Sequence, residues 1–465
     1  MIQTPQIKKE SFKWGEQSLK KIAKYTGIII GGIILICALI LLFFPDPFIN
    51  AFLKDRITKT FTEAYPAYSI KLGDMHYNVW KNRLGCDSIT LKTTDSTFTC
   101  NIASFSVGGI SWLKILLQKD STLDVASSAI INAEKIVLNF HKSQNEINFK
   151  TLHISVPDSE MTADSIKYYS LIDDEQFFAK SKFRQTRFRF DIPQIKIIGL
   201  DYISMLQGKI YKAKNINIHD MFADILVNMD KPYDNNSSNP QMPNEAISSL
   251  KEIIKIDSLN IFNGQLKYSE RFAVRGKPGV ITFNKVNVSI SGIANHTDYP
   301  DTAVVRAKGV FMNSGTMKLF MEIPLASKNF SLHYFGSLSK MDVTKLNEFI
   351  EPGEHHRIKS GTLQSATFNI NVNSGHAAGT LRVNYKDLTI AILNKETGSE
   401  KGIFNRIFSF FGKVFVIRGS NIPDEKGLMK IGEINYKRNP QDYFLQFLWF
   451  ALRGGVADVV GFPRE

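Results

Sequence analysis

The stretch 317–325, which reads MKLFMEIPL, decides the class of fold. Its apolar residues recur at every second position, at Met317, Leu319, Met321, Ile323 and Leu325. Successive side chains of a β-strand point to opposite faces of a sheet. This period of two therefore predicts a strand with one apolar face.

The same alternation extends along the chain on both sides of this strand. It recurs downstream at Phe330, Leu332 and Tyr334, at Ala366, Phe368, Ile370 and Val372, and at Leu381, Val383 and Tyr385. Upstream, it shifts by one residue between Phe283 and Val286, which predicts a β-bulge. Asn263-Gly264 separates two further runs and predicts a hairpin turn. The chain is therefore predicted to be mainly β, with antiparallel strands and short turns.

A similar β-unit precedes this one. Alternating apolar residues from Tyr68 to Val107, followed by Ile136–Phe140, predict an antiparallel meander with a short helix at Trp112–Leu117. In residues 182–190, Arg and Phe alternate, which predicts a strand with one apolar and one basic face. If that basic face has a function, attraction to anionic lipid headgroups fits an exported membrane protein better than nucleic-acid binding.

Helices are predicted at only a few other places. Residues 230–244 (DKPYDNNSSNPQMPN) have the composition of a loop between two β-units, and Ala246–Ile254 after them predicts a short helix. Two apolar sets at helical spacing predict C-terminal helices, namely Ile403, Phe404, Ile407, Phe408 and Phe411, and Tyr443, Phe444, Phe447, Leu448 and Leu452. These helices either cover an open end of the sheet or insert Phe447, Trp449 and Phe450 into a membrane interface.

The longest uncharged run is Thr26–Phe44, TGIIIGGIILICALILLFF. At about 1.5 Å per residue it is long enough for the roughly 30 Å hydrocarbon core of a bilayer. Six lysines precede the run, opposed by two glutamates, so the rule that basic residues stay inside predicts a cytoplasmic N-terminus. The run is followed by an amphipathic segment, Pro47–Ala64, which predicts either a helix that caps the β-core or one that lies on the membrane.

These features predict a single-pass protein of six segments. They are a cytoplasmic tail at 1–25, a transmembrane signal anchor at 26–44, a periplasmic β-rich unit at 46–229, a loop at 230–244, a second periplasmic β-unit at 245–440 and an apolar helix at 441–465. The chain carries 57 Lys and Arg against 44 Asp and Glu, a net charge of +13, without a dense basic block. We therefore expect no nucleic-acid partner.

Residue patterns typical of catalysis are absent from the sequence. It has no Gly-rich phosphate loop, no Gly-x-Ser-x-Gly and no His-Glu-x-x-His. His355 and His356 are adjacent, so in an extended chain they point to opposite sides, which favours a solvated loop over a metal site. Cys86 and Cys100 lie near each other on consecutive predicted strands and are read as two buried thiols or as a disulfide. We predict a protein that is not an enzyme and that has no metal and no cofactor.

The imbalance between strands and helices bears on function. A sheet with one apolar face must bury that face against something. The alternation itself leaves two solutions open, a closed β-sandwich and an open groove that accepts an apolar ligand. In the second case the predicted lining is Met317, Leu319, Met321, Ile323, Leu325, Phe330, Leu332, Tyr334, Ala366, Phe368, Ile370 and Val372.

One tripeptide, Asp-Ser/Thr followed by an apolar residue or Thr, recurs more often than composition would give. Its hydroxyl residues are Ser88, Ser96, Ser121, Ser165, Ser258 and Thr302. Asp-Ser is a common way to begin a strand after a turn. The tripeptide also resembles the acceptor signal of a periplasmic O-glycosylation system of one bacterial lineage, so these residues are candidate glycosylation sites.

The whole arrangement resembles the AsmA-like family of bacterial envelope proteins. The resemblance covers nearly the whole chain, from the anchor and the segment Phe48–Ala64 to Phe447-Leu448-Trp449-Phe450 and Arg453-Gly454-Gly455. It is sharpest in the second unit, in Asp257–Tyr268, in Gly279–Phe283 and in the run from Gly361-Thr362-Leu363 to Leu388. The chain lacks the many extra repeats of the largest members.

The resemblance implies a fold and a function. The implied fold is an elongated, curled antiparallel sheet that forms a taco-like apolar groove with capping helices behind an inner-membrane anchor. The implied function is to bind or conduct phospholipid between membranes and so to contribute to outer-membrane biogenesis. The expected partners are phospholipid, the inner membrane and outer-membrane or envelope assembly proteins. The alternative is a structural or assembly factor of the envelope that carries no lipid.

Overall fold

The computed structural model describes residues 46–110, 127–206, 210–234, 239–296, 302–394, 400–403, 408–410, 413–415 and 417–461. It is mainly β, with 55% strand and 17% helix, and its strands form one large mixed sheet with few helices. The prediction of a mainly β chain with few helices is confirmed. Within the described ranges, no helix is long and apolar enough to cross a bilayer. The predicted anchor, 26–44, lies outside them, as does the predicted helix Trp112–Leu117.

Seven α-helical segments are described. They are α1 (Asp46–Phe48), α2 (Lys54–Ala64), α3 (Asp174–Ala179), α4 (Tyr202–Leu206), α5 (Pro243–Ser248), α6 (Asn347–Glu354) and α7 (Phe444–Val460), with a π-helical turn at Ile49–Leu53 and a 3-10 helix at Val343–Leu346. Ile49, Leu53 and Ile57 pack against buried Leu72 and Met75 of the first strands. The amphipathic segment after the predicted anchor therefore caps the β-core.

The first half of the sheet contains β1 (Tyr68–Leu72), β2 (Met75–Asn78), β3 (Arg83–Cys86), β4 (Ile89–Thr93), β5 (Phe98–Gly108), β6 (Ile130–Phe140), β7 (Asn145–Ser155), β8 (Glu160–Ser170), β9 (Thr186–Ile198), β10 (Ile210–His219) and β11 (Phe222–Asn228). From β5 to β9 each strand pairs antiparallel with the next along the chain. β10 and β11 then follow one another end to end along the same edge of β9 and both pair antiparallel with it, β10 with residues 194–198 and β11 with residues 186–191.

The second half contains β12 (Ile253–Arg271), β13 (Gly279–Ala294), β14 (Thr302–Phe311), β15 (Gly315–Pro324), β16 (Leu332–Leu338), β17 (Met341–Asp342), β18 (His356–Asn373), β19 (His376–Leu393), β20 (Glu400–Ile403) and β23 (Ile431–Lys437), and β21 (Phe408–Phe410) pairs with β22 (Lys413–Phe415) as a separate hairpin. β12 to β19 form an antiparallel ladder, and β23 pairs with β19 at its end.

The expectation of a purely antiparallel sheet is wrong at one place. β10 and β11 both pair parallel with β12. A parallel pair needs a crossover connection rather than a tight turn. The loop-rich segment between Asn228 and Ile253, which contains α5, supplies that connection. The sheet therefore continues across the predicted boundary loop 230–244 without a break.

The predicted hairpin at Asn263-Gly264 is also wrong. β12 is one strand of 19 residues that runs straight through these two positions. Asn263 has a positive φ of 54°, and the register with β13 shifts on either side of Gly264. The Asn263 side chain donates to the Asp220 carboxylate, and its backbone N–H donates to Asn287. Asn-Gly thus forms a bulge here, because both residues tolerate the left-handed conformation that a bulge and a turn both require.

A line of backbone irregularities crosses the sheet. Four residues in different strands have positive φ values between 49° and 54°: Lys135, Ser165, Asn263 and Lys285. In each of these strands the apolar face shifts by one residue at that position, as the sequence indicated between Phe283 and Val286. Bulges bend a strand and increase its twist. The pairing register shifts around Asn263 and Lys285, which are therefore bulges, whereas it continues unchanged across Lys135 and Ser165.

Two predicted helices differ from the structure. α5 begins at Pro243, earlier than predicted, because proline suits the first helical turn and the Glu245 side chain accepts from the Met242 backbone N–H. Ile253 and Ile254 belong to β12 instead. The predicted helix around Ile403–Phe411 is wrong in its described part, where Phe408–Phe410 is a strand. Phe and Ile favour strands when neighbouring strands supply pairing.

Candidate functional site

The apolar residues of successive strands lie in register and form continuous rows across the sheet. One row, which we call the apolar stripe, consists of Val107, Ile131, Ile154, Met161, Ile197, Ile216, Leu259, Ile290, Val305, Met321, Tyr334, Ile370, Gly379 and Ile434. Each member is the direct pairing partner of the next. Paired residues share a face of the sheet, so the stripe runs from β5 to β23 across the strands.

A second apolar row lies beside the stripe on the same face. It consists of Phe105, Ala133, Leu152, Ala163, Ile195, Ile218, Ile261, Val288, Ala307, Leu319, Gly336, Phe368 and Leu381. The two rows together make an apolar band that is two side chains wide. A ligand on this band would meet no charged group in either row.

The predicted lining residues all lie on this face. Leu319 and Phe368 belong to the second row, and Met321, Tyr334 and Ile370 belong to the stripe. Ile323, Leu325, Phe330, Leu332 and Val372 share their core cluster, Met317 packs against its edge, and Ala366 packs against the adjacent cluster. The alternation therefore placed them correctly relative to one another. Contact with lipid at these residues stays a prediction.

Helix α7 covers the end of the apolar stripe that lies at β15 to β23. Phe447 is fully buried, Ala451 is 1% exposed, and both belong to one cluster with Tyr334 and Ile370. Two residues at α5 belong to the same packing: Met242, which directly precedes the helix, is a member of the cluster, and Ile247 of the helix packs against it. The C-terminal helix thus acts as a cover, and Phe447 is not available to a membrane. Trp449 is 41% exposed on its outer side.

Close approach of α7 to the sheet depends on two glycines. A Cβ on Gly432 of β23 would lie 2.3 Å from the Gly455 carbonyl oxygen of α7. The helix continues through Gly454-Gly455 to Val460, farther than the apolar spacing alone indicated. Gly455 is therefore a packing contact within the helix.

The stripe is only partly covered from β6 to β14. Its members Ile131, Ile154, Met161, Ile197, Ile216, Leu259, Ile290 and Val305 are all half-buried. In this region, the buried cluster of Leu200, Tyr202 and Ala213, to which α4 contributes, packs against the stripe members Ile154, Met161, Ile197 and Ile216. Seven steps of about 4.8 Å between neighbouring strands give this half-buried part of the stripe a length on the order of 34 Å.

One polar atom lies unpaired at the covered end. Tyr334 is 1% exposed, and its hydroxyl has no hydrogen-bond partner among the described residues. Burial raises the pKa of this hydroxyl. A buried hydroxyl without a partner costs free energy, so the packing of α7 over the stripe is not optimal at this point.

The opposite face of the second half contains a feature that sequence inspection missed. A trough of about 870 Å³ is lined there by side chains of β12 to β19, among them Phe262, Phe320, Phe335, Arg306 and Lys318. These residues fall between the apolar positions of the alternation, where no site was predicted. The signal in the sequence was the presence of Phe320 and Phe335 at positions where polar residues are expected.

The basic face of β9 is occupied by ion pairs. Arg187 is 3% exposed and lies 3.1 Å from the Asp174 carboxylate of α3 and 3.2 Å from the Asp224 carboxylate of β11. Arg189 lies 2.7 Å from Asp174. Phe188 and Phe190 stack on the other face, as predicted. Arg187 is thus a buried structural group and is not available to lipid headgroups.

The candidate glycosylation residues differ in accessibility. Ser88 and Ser96 are exposed, whereas Ser165, Ser258 and Thr302 are half-buried within strands. The Ser258 hydroxyl donates to the Asn215 side chain. Ser121 lies outside the described residues. Ser88 and Ser96 are therefore the two described positions that a modifying enzyme would reach most easily.

Cysteine and histidine residues show no joint site in the described chain. Cys86 and Cys100 are free thiols, and each is paired in the sheet with other residues, Phe105 and Leu91 respectively. Burial raises the pKa of Cys100. Over the ranges that the structure covers, no three His, Cys, Asp or Glu side chains are grouped closely enough to hold a metal ion.

Comparison with known proteins adds no assignment. No protein-family model matches the chain, and no curated protein matches it. Functional inference therefore depends on the geometry described above.

Proposed function

We propose that this protein is an inner-membrane-anchored periplasmic protein that binds phospholipid acyl chains along the apolar stripe. In this role it contributes to lipid transport between membranes and to outer-membrane biogenesis. The resemblance to AsmA-like proteins supports the proposal, and the uncharged run Thr26–Phe44 would supply the anchor. The bulges at Asn263 and Lys285 support a curled, groove-like sheet, because a bulge bends the strand that contains it.

The observation that carries the proposal is the continuity of the stripe. From Ile131 to Val305, eight strands each contribute a half-buried apolar residue in register with its neighbours. A continuous row of partly exposed apolar side chains is a candidate surface for an apolar ligand. Its direction across the strands suits a long, flexible apolar ligand.

The energetics suit an acyl chain. Exposure of one CH₂ group to water costs about 0.8 kcal/mol, so a sixteen-carbon chain faces a barrier on the order of 12 kcal/mol when it crosses water. An apolar band with partial cover removes most of this cost and needs no nucleophile or metal. Helix α7 would close the band at its C-terminal end.

Site-specific photo-crosslinking in cells tests the proposal. Val305 and Val304 are adjacent, half-buried valines of β14 on opposite faces of the sheet. Val305 pairs with Ile290 and Met321, and Val304 pairs with Ser291 and Glu322. The full chain with benzoylphenylalanine at position 305 should form phospholipid adducts, detected by mass spectrometry, and the chain with it at position 304 should form far fewer.

Two results would count against the proposal. Absence of adducts at position 305 in a correctly folded protein would favour the alternative of an assembly factor that carries no lipid. Equal adducts at both positions would show nonspecific contact with the membrane. The same substitution at Ile216 and at its neighbour Asn217 repeats the comparison at the centre of the stripe.

A further inference from the structure

The trough on the opposite face combines aromatic and basic side chains in an ordered way. Arg306, Phe320, Phe335 and Asn369 form one row of direct pairing partners across β14, β15, β16 and β18. Lys308, Lys318, Ser337, Thr367 and Arg382 form the next row, which extends to β19. Aromatic groups therefore lie beside a line of cations.

The aromatic row forms a flat apolar floor. The Phe320 and Phe335 rings stack with centroids 4.8 Å apart, and the Arg306 guanidinium lies 5.2 Å from the Phe320 ring centre. Phe335 is 42% exposed and Phe262, at the β12 side of the trough, is 41% exposed. Large aromatic groups left this open at positions that face solvent are candidates for ligand contact.

The charges in the trough are of one sign. Arg306, Lys308, Lys318 and Arg382 line it, and none of its lining residues is Asp or Glu. Within the described chain, these four cations form no ion pair. Lys308 and Lys318 are direct pairing partners on neighbouring strands. Like charges in directly opposed positions destabilise a sheet, and a bound anion between them would reverse that effect.

We propose that this trough binds an anionic phospholipid, with its phosphate held by Lys308, Lys318 and Arg306 and its apolar part lying on the Phe320–Phe335 pair. The volume of about 870 Å³ falls in the range of small-molecule sites. Charge complementarity selects an anion, and the aromatic floor selects an anion with an apolar portion. The charged and aromatic side chains of the site lie on the other face of the strands from the apolar stripe, and residues of the second apolar row, such as Leu319 and Phe368, also border the trough.

Binding of short-chain lipids to the full chain in detergent tests this proposal. The probes are dihexanoyl phosphatidylglycerol, dihexanoyl phosphatidylcholine and inorganic phosphate, measured by calorimetric titration. We expect phosphatidylglycerol to bind at least tenfold more tightly than either of the other two. The double variant Lys308→Gln/Lys318→Gln should weaken that binding at least tenfold, since two charge-assisted contacts are lost.

A charge-matched control separates the site from general attraction. Lys328 and Lys340 are exposed lysines in nearby loops, so Lys328→Gln/Lys340→Gln removes the same charge outside the trough. It should change binding less than twofold. Phe335→Ala should weaken phosphatidylglycerol binding several-fold and lower the thermal midpoint only slightly, because the ring is 42% exposed.

Each remaining outcome would overturn the proposal. Equal binding of phosphatidylglycerol and phosphatidylcholine would remove the anion preference. Equal binding of inorganic phosphate would reduce the trough to a simple anion site, and equal loss in both double lysine variants would show nonspecific charge effects. Crosslinking at position 305 reports on the apolar stripe and the Lys308→Gln/Lys318→Gln titration reports on the trough, so failure of one proposal is distinguishable from failure of the other.

Discussion

The guanidinium group of Arg438 donates to the Glu245 carboxylate at 2.8 Å, although 193 residues separate the two along the chain. Arg438 also donates to the Pro240 carbonyl oxygen at 2.7 Å. Glu245 lies in α5, and Arg438 directly follows β23 and precedes α7. The pair therefore ties together the two helices that cover the C-terminal end of the apolar stripe.

Glu245→Gln should weaken this tie by about 1 kcal/mol, since the pair is partly exposed to solvent. Burial alone would raise the pKa of Glu245, but hydrogen bonds from Arg438 and from the Met242 N–H, together with the Arg438 charge, hold it below its ordinary value of 4.5. A carboxylate with a lowered pKa contributes stability above that ordinary value and loses it as the pH falls further.

The difference in urea midpoint between wild type and Glu245→Gln should therefore be largest at about pH 7 and shrink towards about pH 3. Glu348→Gln, at an exposed position of α6, is the control and should show a small difference at both pH values. A difference for Glu245→Gln that grows on acidification would contradict the assignment of the ion pair.

Tyr334→Phe should leave stability unchanged or raise it by up to about 1 kcal/mol. The variant removes a buried hydroxyl that has no partner and keeps the ring in contact with Phe368, whose centroid lies 5.9 Å away. Thermal or urea denaturation measures the change. Marked destabilisation would show that the hydroxyl makes a contact in solution, for example with water or with a bound lipid.

Gly432→Ala and Gly454→Ala should change stability in opposite directions. The first places a Cβ 2.3 Å from the Gly455 carbonyl oxygen and should destabilise the protein by about 1–3 kcal/mol, because α7 must move away from β23. The second meets nothing within 4 Å and replaces glycine within a helix, so it should stabilise by up to about 1 kcal/mol. Urea denaturation of both variants checks this, and a neutral Gly432→Ala would refute close packing.

Arg187→Met should destabilise the first half of the sheet by about 3–5 kcal/mol. It leaves Asp224, which is 10% exposed, without its charged partner. Arg189→Met serves as the matched control, because Arg189 is 39% exposed and should cost no more than about 1 kcal/mol. Proteolysis rates of the two variants, measured beside urea midpoints, would show the difference.

A periplasmic reporter enzyme fused after Glu465 should be active, and a cytoplasmic reporter at the same position should be inactive. The reason is the excess of lysine before the run Thr26–Phe44, which keeps the N-terminus inside. Reversal of the six lysines before the run to glutamate should reduce export of the reporter. Activity of the cytoplasmic reporter in the unmodified protein would refute the proposed localisation.

The strand faces could be predicted from the sequence because the period of two depends only on local geometry. Met321, Tyr334 and Ile370 were placed on one face, and the structure pairs them directly. The parallel pairing of β10 and β11 with β12 could not be predicted, since it arises from contacts distant in sequence. The same holds for Asn263-Gly264, where one dipeptide suits both a hairpin turn and a bulge and the neighbouring strand decides.

The candidate sites were predictable to different degrees. The lining residues followed from alternation, but their cover by α7 depends on where Phe447 packs, which the sequence does not specify. The trough was missed because Phe320 and Phe335 occupy positions assumed to be polar, and their stacking is a property of adjacent strands. The alternation of Arg and Phe predicts that Arg187 lies on a basic surface. In the structure, Arg187 is buried and pairs with carboxylates of α3 and β11, which are distant in sequence.

The register of the apolar stripe makes its length a property that evolution can adjust in small increments. Each strand adds one apolar residue and about 4.8 Å, and an inserted hairpin would add two strands without changing which face is apolar. Insertion at a tight turn would separate the two strands that the turn joins and would preserve the pairing of the strands on either side. Homologous chains of different strand number would thus differ in the distance that they cover and keep the same surface chemistry throughout.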